Sequence, residues 1–237
     1  MKDYIADRGT YGRVPIGSKL SSRCSSLDSR LILALDFPSR DVRGILSELQ
    51  SLAVGVKVGF PITLSLGFDG VREIIRDFPD YYWIADYKLA DIPEVVQYIL
   101  EGLERVGFDA SIIHLFTGHR RYDVGMELIG VVAMSHPEAK FFRGNFEKLL
   151  DEAELLGVDG IVVGATRPEM IREARRRLPD VRIFSPGVGA QGAEPGSAIA
   201  AGADFEIVGR SILGSKNPRL EAMRVVEAQR GVIHGRS

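Results

Sequence analysis

The sequence predicts an α/β fold, a single (β/α)8 TIM barrel. Three observations carry that expectation: eight short apolar runs, amphipathic segments of helical spacing between them, and a length of 237 residues, which suits one domain of this kind. Residues 1–30 stand apart. They are polar and rich in Gly and Ser without sustained periodicity, and are expected to form an N-terminal extension that is flexible or loosely draped over the body. The barrel is expected to take residues 31–237.

The apolar runs fall at 31–35, 54–58, 83–85, 111–114, 129–133, 160–163, 181–184 and 205–208. They are near-continuous rather than alternating, as parallel strands covered on both faces should be. Between them, 42–52 places Val42, Ile45, Leu46 and Leu49 on one helical stripe. The stretch 146–156 does the same with Leu149, Leu150, Ala153 and Leu156, and 169–178 is Arg-rich on its outer face. Strand–helix alternation implies right-handed βαβ units, and eight strands in one domain favour closure over an open sheet. The connection from His114 to Ile129 is short, so the fourth helix is expected to be stunted or irregular.

Composition narrows the class of partner. An apolar share of 45% can supply a sizeable core, and a net charge of −2 argues against nucleic acid or an anionic membrane. An anionic ligand must then be held by local groups. Cys24 is the only cysteine, which excludes an internal disulfide and fits a reducing compartment. The apolar runs are too short to span a bilayer, and the N-terminus does not read as a signal peptide, so a cytoplasmic protein is expected.

Barrel active sites sit at the C-terminal ends of the strands, so polar residues that close apolar runs are the suspects. They are Asp36, Lys57, Asp86 with Lys88, His114, Ser135, the turn at 186–192, and Gly209 with Arg210. The segment Trp83-Ile-Ala-Asp-Tyr-Lys-Leu-Ala-Asp-Ile-Pro93 is the most informative. On an extended strand, Asp86 and Lys88 share a face, while Ala85 and Tyr87 point the other way. Asp91 lies beyond the strand, in a loop closed by Pro93, and Lys57 offers a second cation. An arbitrary Asp-x-Lys is most often a solvated ion pair of little consequence. At the end of an apolar strand, charges are costly unless used or paired, and the residues alone leave both readings open. Used together, they suit delivery of a proton to carbon by a fixed lysine beside a carboxylate that repels a departing anionic group.

Asp86-x-Lys88-x-x-Asp91-Ile-Pro resembles the signature of the orotidine 5′-monophosphate decarboxylase suprafamily. That group also holds 3-hexulose-6-phosphate synthases and 3-keto-L-gulonate-6-phosphate decarboxylases, which the signature does not separate. Ser185-Pro-Gly-Val-Gly-Ala-Gln-Gly192 matches G-x-G-x-x-G, but so late in the chain it does not read as a dinucleotide turn. Loops after barrel strands seven and eight commonly bind phosphate, which favours that role for this turn and for Gly209-Arg210-Ser211 over bare surface turns. In Met134-Ser-His-Pro-Glu138, Ser135 is either a turn residue or a partner of Gln191 at the edge of a pyrimidine ring. His136, alone in its loop, reads as a surface residue. Met-Ser-His-Pro and Pro-Gly-Val-Gly-Ala-Gln-Gly resemble the decarboxylase branch in its archaeal-type form, over residues 31 to about 218.

The resemblance implies conversion of orotidine 5′-monophosphate to uridine 5′-monophosphate and carbon dioxide, the last step of de novo pyrimidine synthesis, with no metal and no organic cofactor. It casts Lys88 as proton donor to C6, Asp86 as the group against the departing carboxylate, and Lys57 as its partner in fixing that lysine. Asp36 and Lys57 would bind ribose, and Ser135 and Gln191 the pyrimidine. Gln191, Gly209 and Arg210 would grip phosphate, with Pro186 to Gly192 as a mobile lid. Asp91 and Ile92 would reach into the neighbouring subunit of a homodimer. Two departures stand out: Val95 replaces the family's usual ribose-binding Thr, a hydroxyl contact of about 1 kcal/mol, and the connection between strands four and five is short. The rival readings are a sugar-phosphate enzyme of the same suprafamily, which would normally need a divalent metal, and a non-catalytic nucleotide-binding barrel.

Overall fold

The computed structural model describes residues 18–36 and 41–235. Helix α1 (Lys19–Leu27) leads into strand β1 (Leu31–Leu35), followed by α2 (Val42–Leu49), β2 (Gly55–Gly59), α3 (Phe60–Asp77) and β3 (Tyr82–Leu89). Next come α4 (Pro93–Val106), β4 (Ala110–His114), a 3-10 turn (Leu115–Thr117), β5 (Glu127–Ala133), α5 (Lys140–Gly144), α6 (Phe146–Leu156) and β6 (Gly160–Val163). The chain ends with α7 (Pro168–Arg177), β7 (Arg182–Pro186), α8 (Ser197–Ala200), β8 (Phe205–Val208), α9 (Arg210–Leu213) and α10 (Pro218–Ile233).

The eight strands are parallel, each pairs with its sequence neighbours, and β8 closes onto β1. This is the (β/α)8 barrel that the apolar runs predict, and each run falls within or against one strand. The strands are buried on both faces because helices cover the outside and side chains fill the inside. Within the barrel Phe184 stacks on Phe205 at 4.9 Å. Toward the N-terminal end, the guanidinium of Arg182 meets Glu127 at 2.8 Å, and Glu127 also accepts from the Tyr82 hydroxyl. These side chains come from β7, β5 and β3, so one charged contact ties alternate strands across the floor. No described helix is long and apolar enough to cross a membrane.

Two local expectations need revision, and a third is sharpened. The first concerns the extension at 1–30. Residues 1–17 lie outside the described residues, but Lys19–Leu27 is a helix and not a loose drape. Ser18 caps it by accepting from the Ser21 amide, and Leu20 and Cys24, four apart, are buried against the barrel. Arg23 donates to the carbonyls of Gln50 and Ala53 at 2.7 and 2.9 Å and lies over the Tyr81 ring. Lys19 pairs with Asp109 at 2.9 Å. The segment carries too few apolar residues to show a stripe, so its helicity comes from these tertiary contacts.

The second revision is the end of α2, which stops at Leu49 and not at 52. The amides of Leu52 and Ala53 both turn back to the Leu49 carbonyl at 2.9 Å, and Leu52 is buried as the chain enters β2. Its apolarity thus serves the connection. The third sharpens an expectation: between β4 and β5 the fourth helix is reduced to the 3-10 turn at Leu115–Thr117.

If α1 is part of the folded core, Leu20→Ala should lower the unfolding free energy by about 2 to 4 kcal/mol in a urea titration. A loosely attached extension would leave the midpoint unchanged.

Candidate active site

All eight strands contribute their C-terminal ends to one cavity. It gathers Asp36, Lys57, Asp86, Lys88, Ser135, Pro186, Gln191, Gly209 and Arg210, nine of the residues singled out from the sequence. Asp91 and Ile92 are not among its walls. Both are exposed, Asp91 accepts from the Ile92 amide at 2.7 Å, and Val95 is exposed in the first turn of α4.

Charges alternate along one wall. The ammonium of Lys57 meets Asp36 at 2.6 Å and Asp86 at 2.7 Å, and the other oxygen of Asp86 meets Lys88 at 2.7 Å. Asp86 is therefore shared by two lysines. The Lys57 and Asp86 side chains are only 8% and 7% exposed, whereas Lys88 is 35% exposed and opens to the cavity. Burial acts to raise the Asp86 carboxyl, but Lys57 and Lys88 outweigh it and hold the group below the ordinary carboxylate range. Burial likewise acts to lower Lys57, but Asp86 and Asp36 hold it above the ordinary lysine range. Both groups stay charged at neutral pH.

Strand alternation puts Asp86 and Lys88 together, but β3 is not regular there. Lys88 sits in the left-handed region at φ 46°, and the pairing with β4 shifts register between Ala85 and Leu89. A non-glycine residue there carries roughly 1 kcal/mol or more of strain. Tyr87, on the opposite face, anchors the segment: its hydroxyl meets Thr63 Oγ1 at 2.6 Å and its ring packs edge-on to Phe60 and Phe108.

Across the cavity, Ser135 after β5 meets the turn that follows β7. Gly187 has φ 108°, and a Cβ there would come within 3.0 Å of the Ser135 Cβ and 3.3 Å of Gln191 Oε1. Glycine thus lets the hydroxyl and amide approach each other. The turn also closes on itself: Gly189 donates to Ala193 and Gly192 to Gly189, each at 2.8 Å. Those two amides are spent inside the loop. The phosphate expectation therefore narrows to Gln191, Gly209 and Arg210. His136 is exposed, as expected of a loop residue, yet it edges the cavity.

The sequence reading missed the apolar floor, formed by Ile112, Val131, Val162 and Ile207. Each faces inward near its strand's C-terminal end, which period two could have marked once the strands were placed. His114, suspected but unassigned, closes β4 beside the charged wall. Burial first, and then Lys88, push its imidazole down to about 4, so it is neutral at neutral pH. Among the described residues no three His, Cys, Asp or Glu side chains come together as a metal-holding set.

Comparisons with known proteins agree with this fold. The sequence model of the family described as orotidine 5′-phosphate decarboxylase/HUMPS matches residues 29–225. The chain is similar to the orotidine 5′-phosphate decarboxylase of Thermococcus kodakarensis, 42% identical over 206 residues that span 84% of this chain and 96% of that protein. It is 37% identical over 217 residues to the enzyme of the same name from Methanosarcina mazei, across 87% and 97% of the two chains. Among solved structures, orotidine 5′-monophosphate decarboxylase from Methanocaldococcus jannaschii, complexed with the inhibitor BMP, aligns with a TM-score of 0.76 at 32% identity. That alignment covers 85% of this chain and 98% of the other.

The charged wall has a definite pH signature. The raised Lys57 contributes stability that is present below the unfolded lysine value and lost as pH rises through its folded value. The depressed Asp86 contributes stability that is present above the unfolded aspartate value and lost as pH falls through its folded value. The unfolding free-energy difference between the natural chain and Lys57→Met should therefore be about 3 kcal/mol and flat from about pH 5 to about pH 9. A difference that changes within that window would contradict the assignment.

Proposed function

The chain belongs to the orotidine 5′-phosphate decarboxylase/HUMPS family, and we propose that it is an orotidine 5′-phosphate decarboxylase of pyrimidine biosynthesis. One observation carries the reading: a buried carboxylate, Asp86, shared at 2.7 Å between Lys57 and a half-exposed Lys88 that opens to the cavity.

In the proposed reaction the bond between C6 of the pyrimidine and its carboxylate breaks, and carbon dioxide leaves. The bonding pair stays on C6 and takes a proton from the Lys88 ammonium, forming C6–H. Lys88 is left as the amine and regains its proton from solvent, so the sum is substrate plus one proton to uridine 5′-monophosphate plus carbon dioxide. Asp86 lies against the substrate carboxylate and repels it, an interaction relieved as the transition state forms. Lys57 holds Asp86 in place, and with Asp36 binds the ribose hydroxyls. Ser135 and Gln191 read the pyrimidine edge, and Gln191, Gly209 and Arg210 bind phosphate. The turn at 186–192 acts as a lid, so that phosphate binding remote from C6 helps to order the site. The chemistry asks nothing of a metal or an organic cofactor, and the protein is cytoplasmic.

The functional unit in this reading is a homodimer. Phe60, Leu64 and Phe68 on α3, with Ile92 before α4 and Tyr98 on it, are large apolar side chains left exposed around the β2 and β3 ends. A patch of this kind suits a partner surface. Asp91 and Ile92 lie outside their own cavity, and in a dimer they serve the partner's. The sugar-phosphate alternative finds less support, since Ser135, Gly187 and Gln191 converge where a base would lie.

Loss of orotidine 5′-monophosphate absorbance should proceed at full rate with EDTA present; loss of turnover on chelation would favour the metal-dependent rival. Asp91→Ala and Asp86→Ala chains should each be inactive alone. Mixed in equal amounts and allowed to exchange, they should regain about a quarter of wild-type activity, because half of the dimers then hold one intact site. No recovery, or a fully active monomer in sedimentation, would remove Asp91 from that role.

A further inference from the structure

Between Ala85 and Leu89, β3 leaves its ladder. Ala85 pairs with Ser111 and Leu89 with Ile113, so Asp86, Tyr87 and Lys88 together stand against the single Ile112 of β4. On the other side, the pairing with β2 ends at Gly59 opposite Asp86. Tyr87 and Lys88 therefore have no paired residue among the described strands, at the point where Lys88 turns left-handed at φ 46°. Extended backbone is the ordinary course for a strand. A non-glycine residue keeps the left-handed one only where its surroundings enforce it.

Those surroundings belong to Tyr87. Its ring lies edge-on to Phe60, Phe68 and Phe108, with centroids at 4.9, 5.8 and 6.2 Å. Its hydroxyl meets Thr63 Oγ1 at 2.6 Å, and the Thr63 hydroxyl donates to the Gly59 carbonyl at 3.2 Å. With that proton spent, Tyr87 is the donor to Thr63. Burial raises its phenol above the ordinary value, so the proton stays in place at neutral pH. Both side chains are buried. The two hydroxyls thus link the bend after Asp86 to the end of β2, two residues past Lys57. Helix α3 breaks at Gly67, φ 68°, and Thr63 before the break and Phe68 after it both reach Tyr87.

Ring packing is tolerant of small shifts, whereas a hydrogen bond is directional and fixes the phenol in one place. Asp86 holds the tip of Lys88, and the bend sets the root from which that side chain reaches. We propose that Tyr87 and Thr63 are positioning residues for the reaction: their hydroxyl contact holds Lys88 in its left-handed bend and so places its ammonium for delivery to carbon. This rests on the decarboxylase reading of the site. The strain at Lys88 and the net worth of one buried hydrogen bond are of similar size, so losing the contact lets the backbone relax toward the extended form. Relaxation moves the Lys88 Cβ and the ammonium with it, while Gln191, Gly209 and Arg210 across the cavity stay where they are. The cost falls on the chemical step and not on binding.

Three substitutions separate aiming from packing. Tyr87→Phe keeps the ring and deletes the donor, Thr63→Val keeps the shape and deletes the acceptor, and Thr63→Ser keeps the acceptor. The readouts are the single-turnover rate on saturating orotidine 5′-monophosphate, uridine 5′-monophosphate affinity by calorimetry, and the thermal midpoint, with rates taken well below it. Tyr87→Phe and Thr63→Val should each slow the turnover by about 5- to 30-fold, the range of one hydrogen bond, and keep product affinity within about threefold. The double variant should fall within about threefold of the slower single one, because both changes remove the same contact. Thr63→Ser should stay within about threefold of the natural chain. A natural rate in Tyr87→Phe, a loss confined to affinity, a double variant slowed by the product of the single losses, or Thr63→Ser as slow as Thr63→Val would each overturn the proposal. Should Thr63→Val fail to fold, Tyr87→Phe decides alone. Phe60 and Phe68 also belong to the exposed apolar patch, so the rates are read over a range of protein concentration. A loss that disappears at high concentration would assign the contact to assembly and overturn the proposal too. The natural chain's rate tests the decarboxylase reading, and the variant-to-natural ratios test Tyr87 and Thr63, so each can fail alone.

Discussion

The sharing of Asp86 between Lys57 and Lys88 is the interaction on which the rest of the site depends. A lone carboxylate at that depth would be costly, and so would the Lys57 ammonium below it. Together with Asp36 they form an alternating row in which each buried charge has opposite neighbours at 2.6 to 2.7 Å. The row keeps Asp86 ionised and pointed at the cavity, and it leaves Lys88 as the member with room to act. Remove Lys57 and the carboxylate loses its inner partner; remove Asp86 and both lysines lose their common anchor.

The barrel supplies the rigidity this row needs. Asp86 and Lys57 stand on adjacent paired strands, with Gly59 opposite Asp86 and Lys57 opposite Ile84 in the β2–β3 register. The left-handed turn at Lys88 is held from outside by Tyr87, whose hydroxyl and ring are fixed by α3 and Phe108. At the other end Arg182, Glu127 and Tyr82 tie alternate strands together. The groups proposed to meet the rest of the ligand, by contrast, lie on connections: Ser135 after β5, Gln191 after β7, and Arg210 after β8. In the proposed reading, strands carry the reacting wall and connections carry recognition.

Much of this was legible in the sequence because strand ends in a barrel are functional positions, and strands buried on both faces read as unbroken apolar runs. Asp86 and Lys88 were found by period-two spacing, although the structure reaches that juxtaposition through an irregular, left-handed Lys88 that spacing does not reveal. The turn at 186–192 was singled out by its glycines, but only the structure shows that Gly189 and Gly192 spend their amides on the loop itself. Helix α1 was missed because Ser-rich sequence with Leu20 and Cys24 as its buried contacts has no visible stripe; backbone carbonyls of the α2–β2 connection hold it instead. The apolar floor was missed for the opposite reason, since Ile112, Val131, Val162 and Ile207 look like any other core residue until the strand faces are known. His114 drew notice only as a polar strand end, since the lack of a partner for its Nδ1 among the described residues is a property of packing.

The central claim is that Lys88 delivers the proton to carbon, and the most direct measurement is the single-turnover rate of Lys88→Ala on saturating orotidine 5′-monophosphate, alongside its affinity for uridine 5′-monophosphate. Loss of a positioned proton donor should slow the chemical step by about 10²- to 10⁴-fold or more while product affinity stays within about tenfold. A Lys88→Ala chain that decarboxylates at the natural rate would contradict the account.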